Sequence, residues 1–547
     1  MKTKKSFNGI FRFFAVMTAA VLIFNCAGKA GYYPVEAERS EAAPATPANR
    51  ASMMKTEGLM MDEVMTTKEL TGVAAVEQYN TEEYDYILEN SYKSPLDEPL
   101  STFSIDVDTA SYSNIRRFIE YGELPPPDAV RIEEMINYFD YEYPQPRGND
   151  PFSINLGLSD CLWNPQAKLL MVGLQGRELD YENLKPSNLV FLVDSSGSMS
   201  NSNKLPLLKK ALGLLLDELS DKDRVAIVAY AGSSGLVLDS TPAEEKSKIL
   251  KALDKLSAGG ATAGAAGIEL AYKVAVENLI KDGNNRVILC TDGDFNVGVS
   301  SSSDLVRMIE EKRKNDVYLT ICGFGMGNYK DGRMEQISNA GNGNYFYIDS
   351  FKEAEKVFVH DMRANMFTIA KDVKIQIEFN PAVVKAYRLV GYENRVMAAE
   401  DFNDDTKDAG ELGAGHTVTA LYEIIPAGTD FKLPDVDDLK YQDEKEVSAD
   451  FGDEMLTVKF RYKPIKSDQS ILMTRTFGYN PVEFGQADDN LKFASAVAGF
   501  GMLLRDSKYK GTLTYEELVP VARDSRGEDP EGYRNEFYQL VKSAEKM

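Results

Sequence analysis

A regular alternation of apolar stretches and helix-like segments constrains the fold of this chain more than any other feature. Residues 189–193 are continuously apolar, as a strand buried on both faces must be. Residues 204–219 follow with leucines at the spacing of a helix that packs one face against a core. Further strands are predicted at 224–230, 235–239, 286–291, 317–323 and 344–348, and helices at 243–256, 265–279, 303–314 and 352–366. The alternation predicts an α/β fold over residues 187–366, doubly wound and Rossmann-like, with a mostly parallel sheet.

The segments on either side of this domain have different patterns. Residues 91–186 mix helices with strand-like runs near 152–174, which predicts an N-terminal α+β segment. Residues 367–475 alternate apolar and polar side chains, as near 373–422, and predict a β-rich module. Residues 476–547 predict a helical C-terminal region that packs back on the rest. Because each set of strands is short for an independent sheet, we expect the flanking segments to form one folded body.

The N-terminus indicates the compartment. Four basic residues precede an apolar run at 13–24, which is the layout of an export signal over residues 1–25 and is short for a bilayer span. We therefore expect a protein of the cell envelope, either periplasmic or at the cell surface. Residues 26–90, rich in Ala, Pro, Glu, Thr and Met, predict a flexible tether.

Cys26 ends the apolar run in the order Ile-Phe-Asn-Cys. This order resembles a bacterial lipoprotein cleavage box, which implies that Cys26 becomes a lipidated first residue and anchors the protein to a membrane. Phe24 and Asn25 replace the small residues typical of that box. Cleavage after Ala30 and an uncleaved anchor therefore remain alternatives.

Charge and composition exclude several classes of function. The formal charge of −24 repels phosphate backbones, so nucleic-acid binding is disfavoured. Two histidines and four cysteines do not provide the usual zinc sites or a disulfide framework. Cys290 and Cys322 lie in apolar strand-like runs and are expected to be buried, inert thiols. Asp106 and Asp108 could ligate a cation, but a strand end followed by a helix cap explains the pair, and we expect Asp108 to cap that helix.

Three polar clusters fall where the predicted sheet would place a ligand. One follows the first strand, one precedes the helix at 265–279, and one ends the strand at 286–291: Asp194-Ser195-Ser196-Gly197-Ser198, Gly259-Gly260-Ala261-Thr262 and Thr291-Asp292-Gly293. Ligands of open parallel sheets sit at the carboxyl ends of the strands. Hydroxyl and carboxylate oxygens are donors that suit Mg²⁺.

These clusters resemble the metal-ion-dependent adhesion site of von Willebrand factor type A domains, which has an Asp-x-Ser-x-Ser loop, a later Thr and a Thr-Asp-Gly turn. The resemblance implies that Mg²⁺ or Mn²⁺ is held by five residues: Asp194, Ser196, Ser198, Thr262 and Asp292. It also implies that the hydroxyls bind the ion directly while the aspartates often act through water. The ion would then stay electrophilic enough to take a Glu or Asp carboxylate from a protein partner. Asp294 is either a supporting residue or a solvated loop residue.

The resemblance extends over most of the chain after about residue 90. The order of export signal, tether, the segment at 106–113, the type A domain and Gly-Ala-Gly-His-Thr-Val at 413–418 is similar to the YfbK-like group of bacterial exported lipoproteins. His416 follows two glycines and is expected to stabilise a β-turn rather than to act in catalysis.

The sequence thus favours a non-enzymatic, metal-dependent binding or scaffolding protein. Two alternatives stay open, a metal-dependent hydrolase of the envelope and a structural spacer whose metal only stabilises the fold. Because the metal ligands are placed on surface loops, substitution of Ser196 or Asp292 is expected to leave stability nearly unchanged.

Overall fold

The computed structural model describes residues 82–105, 108–180, 184–231, 234–260, 264–293, 302–326, 330–433 and 451–547. The strands are β1 (Leu100–Ser104), β2 (Phe152–Asp160), β3 (Lys168–Gly176), β4 (Ser187–Asp194), β5 (Arg224–Tyr230), β6 (Ser234–Pro242), β7 (Asn284–Thr291), β8 (Tyr318–Phe324), β9 (Tyr345–Ile348), β10 (Thr368–Phe379), β11 (Val384–Val390), β12 (Gly410–Gly413), β13 (Thr417–Pro426), β14 (Glu454–Pro464) and β15 (Ile471–Gly478). The helices are α1 (Ala110–Glu120), α2 (Ile132–Asn137), α3 (Leu205–Glu218), α4 (Lys246–Asp254), α5 (Gly264–Glu277), α6 (Ser302–Arg313), α7 (Asp331–Ala340), α8 (Phe351–Glu355), α9 (Met362–Met366), α10 (Asp489–Arg505), α11 (Tyr515–Asp524) and α12 (Tyr533–Ala544). The predicted tether and the Cys26 region lie outside the described residues.

The central domain is built on a sheet of six described strands in the order β6-β5-β4-β7-β8-β9. All neighbouring pairs are parallel except β5 and β6. Every residue of β4 is buried because the strand contributes side chains to a hydrophobic core on each face of the sheet. Leu189, Phe191 and Val193 pack with α3 on one face, while Val190 and Leu192 pack with α5 on the other. The predicted doubly wound α/β fold is confirmed.

A β-sandwich joins the two segments that flank this domain in sequence. One sheet has the order β1-β10-β14-β15, with β12 also paired to β10, and the second has the order β11-β13-β3-β2. In the second sheet, β3 from the N-terminal segment pairs with β13 from the C-terminal module along its length. The expected shared body is therefore present, and the α/β domain is inserted between its strands.

The C-terminal helices cover the outer face of this second sheet. Alternate residues of β3 face opposite ways, so Leu170 and Val172 enter the core between the sheets while Leu169 and Met171 face the helices. Helix α10 is buried along most of its length against α2 and the sheet, with α11 and α12 packed beside it. No described helix has the length and apolar character that a membrane span requires.

The structure corrects one local prediction. Thr109, not Asp108, stands at the N-cap of α1, and no side chain caps that helix. The Asp108 carboxylate instead accepts a hydrogen bond of 2.8 Å from the backbone N–H of Tyr345, at the start of β9. The sequence predicted that Asp108 caps the helix that follows it. In the structure, its carboxylate instead contacts a residue 237 positions further along the chain.

Candidate metal centre

The polar clusters predicted to form the site converge at the carboxyl ends of β4 and β7. These strands are parallel neighbours, with Val193 opposite Cys290, so Asp194 and Thr291 end them side by side. Thr291 donates a hydrogen bond of 3.4 Å to the Asp194 carboxylate. Asp292 follows directly, and both aspartates have no exposed surface. The geometry therefore brings two buried carboxylates to one edge of the sheet.

The loop after β4 is folded by the first of these aspartates. Asp194 Oδ1 accepts a hydrogen bond of 2.8 Å from the backbone N–H of Ser196. A 3₁₀ turn at Gly197–Ser200 then turns the chain back, and the hydroxyls of Ser196 and Ser198 lie 2.9 Å apart. Ser196 is buried and Ser198 is exposed, so the pair leads from the buried carboxylate to solvent.

A second loop lies against the first. Gly259 N donates to the Ser195 carbonyl at 2.8 Å, and Gly197 N donates to the Gly260 carbonyl at 3.2 Å. These two bonds hold the loop that leads to α5 beside the serine turn. Thr262 itself, the remaining predicted ligand, lies outside the described residues, as does Asp294.

Burial controls the charge state of Asp194. Desolvation raises the pKa of its carboxyl group, and the nearby charge of Asp292 raises it further. Hydrogen bonds from Ser196 and from the hydroxyl of Tyr230, 3.2 Å away, oppose this rise because they stabilise the ionised form. Two adjacent buried carboxylates are a costly arrangement that a cation relieves.

One such cation belongs to the chain itself. The Lys204 ammonium donates a hydrogen bond of 2.9 Å to Asp292 Oδ2, and the two side chains are 5% and 1% exposed. Sequence reasoning missed this residue. Its position just before α3 could have indicated a role. A lysine at a helix N-terminus interacts unfavourably with the helix dipole, so another contact is expected to stabilise it there.

Gly325 makes room for the lysine. A Cβ atom at this position would lie 2.1 Å from Lys204 Cε, and the φ angle of +82° is one that L side chains rarely adopt. The Gly325 carbonyl accepts a hydrogen bond from the hydroxyl of Tyr347, which fixes the turn. The Lys204 side chain therefore lies in a groove that Gly325 leaves open.

The donor set fits a hard divalent cation. Asp194, Ser196, Ser198 and Asp292 offer only oxygen atoms, which Mg²⁺ and Mn²⁺ accept and softer metals do not prefer. Two carboxylates and one ammonium leave a local formal charge of −1, so a divalent ion is still attracted. Binding there requires that Asp292 acts through water beside Lys204, or that the ammonium gives way.

The burial of Asp292 also corrects an expectation. The sequence placed it on a surface loop, with little effect on stability when it is replaced. The surface placement is wrong for Asp292 and for Ser196, because both residues are buried. We therefore expect loss of the Asp292 carboxylate to lower stability, because it removes the buried group that Lys204 contacts. Ser196 is the better position for a test, because its hydroxyl carries no charge.

A second group of carboxylates is a less suitable metal site. Ligand atoms of Asp108, Glu134 and Glu335 all lie within 4.8 Å of one another, and the three residues are buried. Arg131 donates to Glu134, and Arg395 donates to Glu335 at 2.7 Å and lies 3.6 Å from Asp108. Two guanidinium groups thus offset part of the charge of the three carboxylates, which is typical of a structural ion-pair network.

The expected inert thiols are confirmed. Cys290 and Cys322 are buried on adjacent strands in register, and both are free cysteines. Burial raises the pKa of Cys290 well above its ordinary value, which disfavours the nucleophilic thiolate. His416 lies at the end of a turn in which its N–H donates to the Gly413 carbonyl at 3.3 Å.

Family models match the chain in three places. The model described as von Willebrand factor type A domain matches residues 188–360, and the one described as von Willebrand factor matches residues 78–171. The model described as uncharacterized protein YfbK, C-terminal, matches residues 364–547. With the sheet order and the strand-end loops described above, these matches define a protein built around a von Willebrand factor type A domain.

Whole-chain similarity places it more closely. The chain is 42% identical over 473 residues to the uncharacterized protein YfbK of Escherichia coli strain K12, covering 85% of this chain and 81% of that protein. The chain belongs to the YfbK family. It is also 28% identical over 173 residues to inter-alpha-trypsin inhibitor heavy chain 4 of Mus musculus, covering 30% of this chain and 18% of that protein.

Solved structures include a von Willebrand factor type A protein from Catenulispora acidiphila. It is 17% identical with a TM-score of 0.39, covering 70% of this chain and 89% of that chain. The conserved hypothetical protein BatB from Bacteroides thetaiotaomicron is 18% identical with a TM-score of 0.28, covering 32% of this chain and 97% of that chain.

Proposed function

We propose that the chain is an exported, lipid-anchored binding protein of the cell envelope that captures a Glu or Asp carboxylate of a protein partner through Mg²⁺ or Mn²⁺. The ion would be held by Asp194, Ser196, Ser198, Thr262 and Asp292. The observation that carries the proposal is the pair of serine hydroxyls, 2.9 Å apart, at an edge where two buried carboxylates meet.

The residues of the proposed site have different roles according to how deeply they are buried. Asp194 and Asp292 lie at the bottom of the site and supply its negative charge. Asp194 also fixes the loop through the Ser196 N–H, so that both hydroxyls are positioned before a ligand arrives. When bound, the ion supplies a Lewis-acidic position that accepts one carboxylate oxygen. Ser198 is exposed, so a partner's side chain can approach from solvent.

The same edge gives little support for catalysis. The described groups around the carboxylates are Lys204, Tyr230 and Thr291, and each of them contacts an aspartate. Burial raises the pKa of the Tyr230 phenol well above its ordinary value, which makes it a poor base near neutral pH. Binding without turnover is therefore the proposal that these groups support best.

The lipid anchor rests on the N-terminal sequence alone. Its role in the proposal is to hold the binding domain at a membrane while the tether gives it reach. If about 60 residues behave as flexible coil, their root-mean-square extension is roughly 45 Å.

Affinity capture from an envelope extract of the native organism tests the proposal. Bait protein is used with Mg²⁺ or with EDTA, and bound proteins are identified by mass spectrometry. We expect a partner that is retained only with Mg²⁺ and is lost with Ser196→Ala. Ser200→Ala is the matched control, because Ser200 lies exposed in the same turn and should retain the partner. Equal capture by Ser196→Ala, or capture that ignores EDTA, would contradict the proposal. Hydrolysis of a phosphatase substrate panel that Ser196→Ala abolishes would favour the enzyme alternative.

A further inference from the structure

A polar cavity of about 270 Å³ lies between the α/β domain and the β-sandwich. Arg286, near the start of β7, lines it, whereas Asp292 follows the other end of the same strand. Six residues of extended chain separate the two by roughly 20 Å. The cavity is therefore distinct from the proposed metal centre and sits at the opposite end of the sheet.

The Arg286 guanidinium is the most unusual group in the cavity wall. The residue is 3% exposed, and its Nη1 donates to the Thr320 hydroxyl at 2.5 Å. Its Nε is buried without a hydrogen-bond partner, and the Glu411 carboxylate acts on the guanidinium charge. Burial lowers the pKa of this guanidinium to about 10, which reflects the cost of holding the charge there.

Other buried arginines of the chain contact carboxylates directly. Arg116 contacts the carboxylates of Asp349, Glu353 and Glu536, and Arg388 contacts that of Glu423. An uncompensated buried charge is strongly destabilising, and a charge-assisted hydrogen bond to an anion relieves that cost. Arg286 thus brings a positive charge to the cavity wall, and a carboxylate ligand would relieve the cost of burying that charge.

The rest of the wall is polar and carries charges of both signs, because Arg395 lines it as well as two carboxylates. Five asparagines take part and can both donate and accept hydrogen bonds: Asn339, Asn342, Asn344, Asn365 and Asn394. Asp408 and Glu411, contributed by the sandwich, also line the cavity. A ligand that carries only negative charge is disfavoured by these two residues, whereas a ligand with one charge of each sign is not.

We propose that this cavity binds a small zwitterion of the α-amino acid class, with its carboxylate on Arg286 and its ammonium group toward Asp408 and Glu411. The cavity has room for a small ligand. The site draws on both the α/β domain and the sandwich, so an occupant stabilises their junction.

Thermal unfolding of the full-length protein with a panel of the twenty common free L-amino acids tests the proposal. We expect at least one amino acid to raise the melting temperature, with a dissociation constant that calorimetry then measures. The matching hydroxy acid, which lacks the ammonium group, and the matching amine, which lacks the carboxylate, should bind about tenfold more weakly or not at all. No stabilisation by any amino acid, or equal binding of the hydroxy acid, would overturn the proposal.

Substitution of Arg286 separates binding from a structural role. Arg286→Met should abolish the stabilisation by the amino acid while leaving the ligand-free melting temperature equal or higher, because a buried charge is removed. Arg286→Lys should bind more weakly than wild type, because the ammonium lacks the planar fork of donors. Arg224→Met is the matched control, since Arg224 lies at the start of β5 in the same sheet and bonds Ser240 outside the cavity. A lower ligand-free melting temperature with unchanged binding in Arg286→Met would assign Arg286 to structure and contradict the proposal.

Discussion

The Lys204 ammonium donates a hydrogen bond of 2.9 Å to the Asp292 carboxylate, inside the group of oxygens proposed to hold a divalent ion. The lysine therefore competes with a metal for the same carboxylate. It also neutralises part of the charge that two buried aspartates would otherwise leave uncompensated. Metal affinity and stability without metal are coupled through this one pair.

Replacing Lys204 should shift that balance toward the metal. We expect Lys204→Met to bind Mn²⁺ on the order of tenfold more tightly, since about 1.4 kcal/mol of relieved competition gives that factor. Without metal, the variant should lose about 3–5 kcal/mol of unfolding free energy, because the carboxylate stays buried without its partner. Calorimetric titration with Mn²⁺ and chemical denaturation measure the two effects.

Lys210→Met is the control for this prediction, because Lys210 is exposed on α3, the helix that Lys204 precedes. It should leave both quantities unchanged. Unchanged or weaker Mn²⁺ binding by Lys204→Met would show that the lysine does not compete with the ion.

Two glycines with nearly the same φ angle allow the effect of the groove that holds Lys204 to be separated from backbone strain. Gly325 and Gly428 have φ angles of +82° and +81°, but only at Gly325 would a Cβ atom collide with Lys204. Gly428→Ala should cost about 1–2 kcal/mol of unfolding free energy from backbone strain alone. Gly325→Ala should cost more and should also tighten Mn²⁺ binding, because the lysine is displaced. Equal losses of unfolding free energy in the two variants, with unchanged Mn²⁺ affinity, would show that Gly325 does not make room for Lys204.

A buried asparagine adds to the union of the N-terminal and C-terminal segments that the pairing of β3 with β13 makes. Asn137 at the end of α2 accepts from Thr419 N at 2.7 Å and donates to Thr419 O at 3.0 Å. Asn137→Ala should lower the unfolding free energy by about 1–3 kcal/mol, because the buried Thr419 N–H loses its acceptor while Thr419 O keeps the Tyr392 hydroxyl at 2.9 Å. Asn155→Ala serves as the control, since among the described residues its side chain bonds only Ser153 on the same strand. Denaturation in urea measures both variants, and equal stabilities would show that Asn137 does not tie the segments together.

Lipidation of Cys26 remains a prediction from the sequence. Growth with a clickable fatty acid should label the wild-type protein, and Cys26→Ser should lose the label, because a thioether-linked lipid needs the cysteine. Equal labelling of both would place the lipid on another residue, and labelling of neither would support cleavage after Ala30 or an uncleaved anchor.

The strand and helix pattern could be predicted because it depends on residues close together in sequence. A run such as 189–193 indicates a strand buried on both faces, and polar residues after such strands indicate a ligand edge. Asp194, Ser196, Ser198 and Asp292 were placed together in this way. Gly259 and Gly260 reach the same edge, although Thr262 lies outside the described residues.

Contacts between distant residues could not be predicted in this way. Lys204 reaches Asp292 across 88 positions, and nothing near the lysine in sequence identifies its partner. Asp108 was assigned to a helix cap because that is the nearest backbone it could serve, whereas it bonds Tyr345. The cavity around Arg286 exists only because the α/β domain and the sandwich meet there. Such features follow from the assembled fold.

The most direct test of the central claim is a calorimetric titration of the purified protein with Mn²⁺, repeated with an excess of an acidic peptide. We predict one weak site per chain in wild type that the peptide tightens, retention of both properties in Ser200→Ala, and loss of both in Ser196→Ala. Melting curves without metal should match for the three proteins, because neither hydroxyl carries charge. A wild-type protein that binds no Mn²⁺, or a Ser196→Ala variant that binds it as wild type does, would contradict the account.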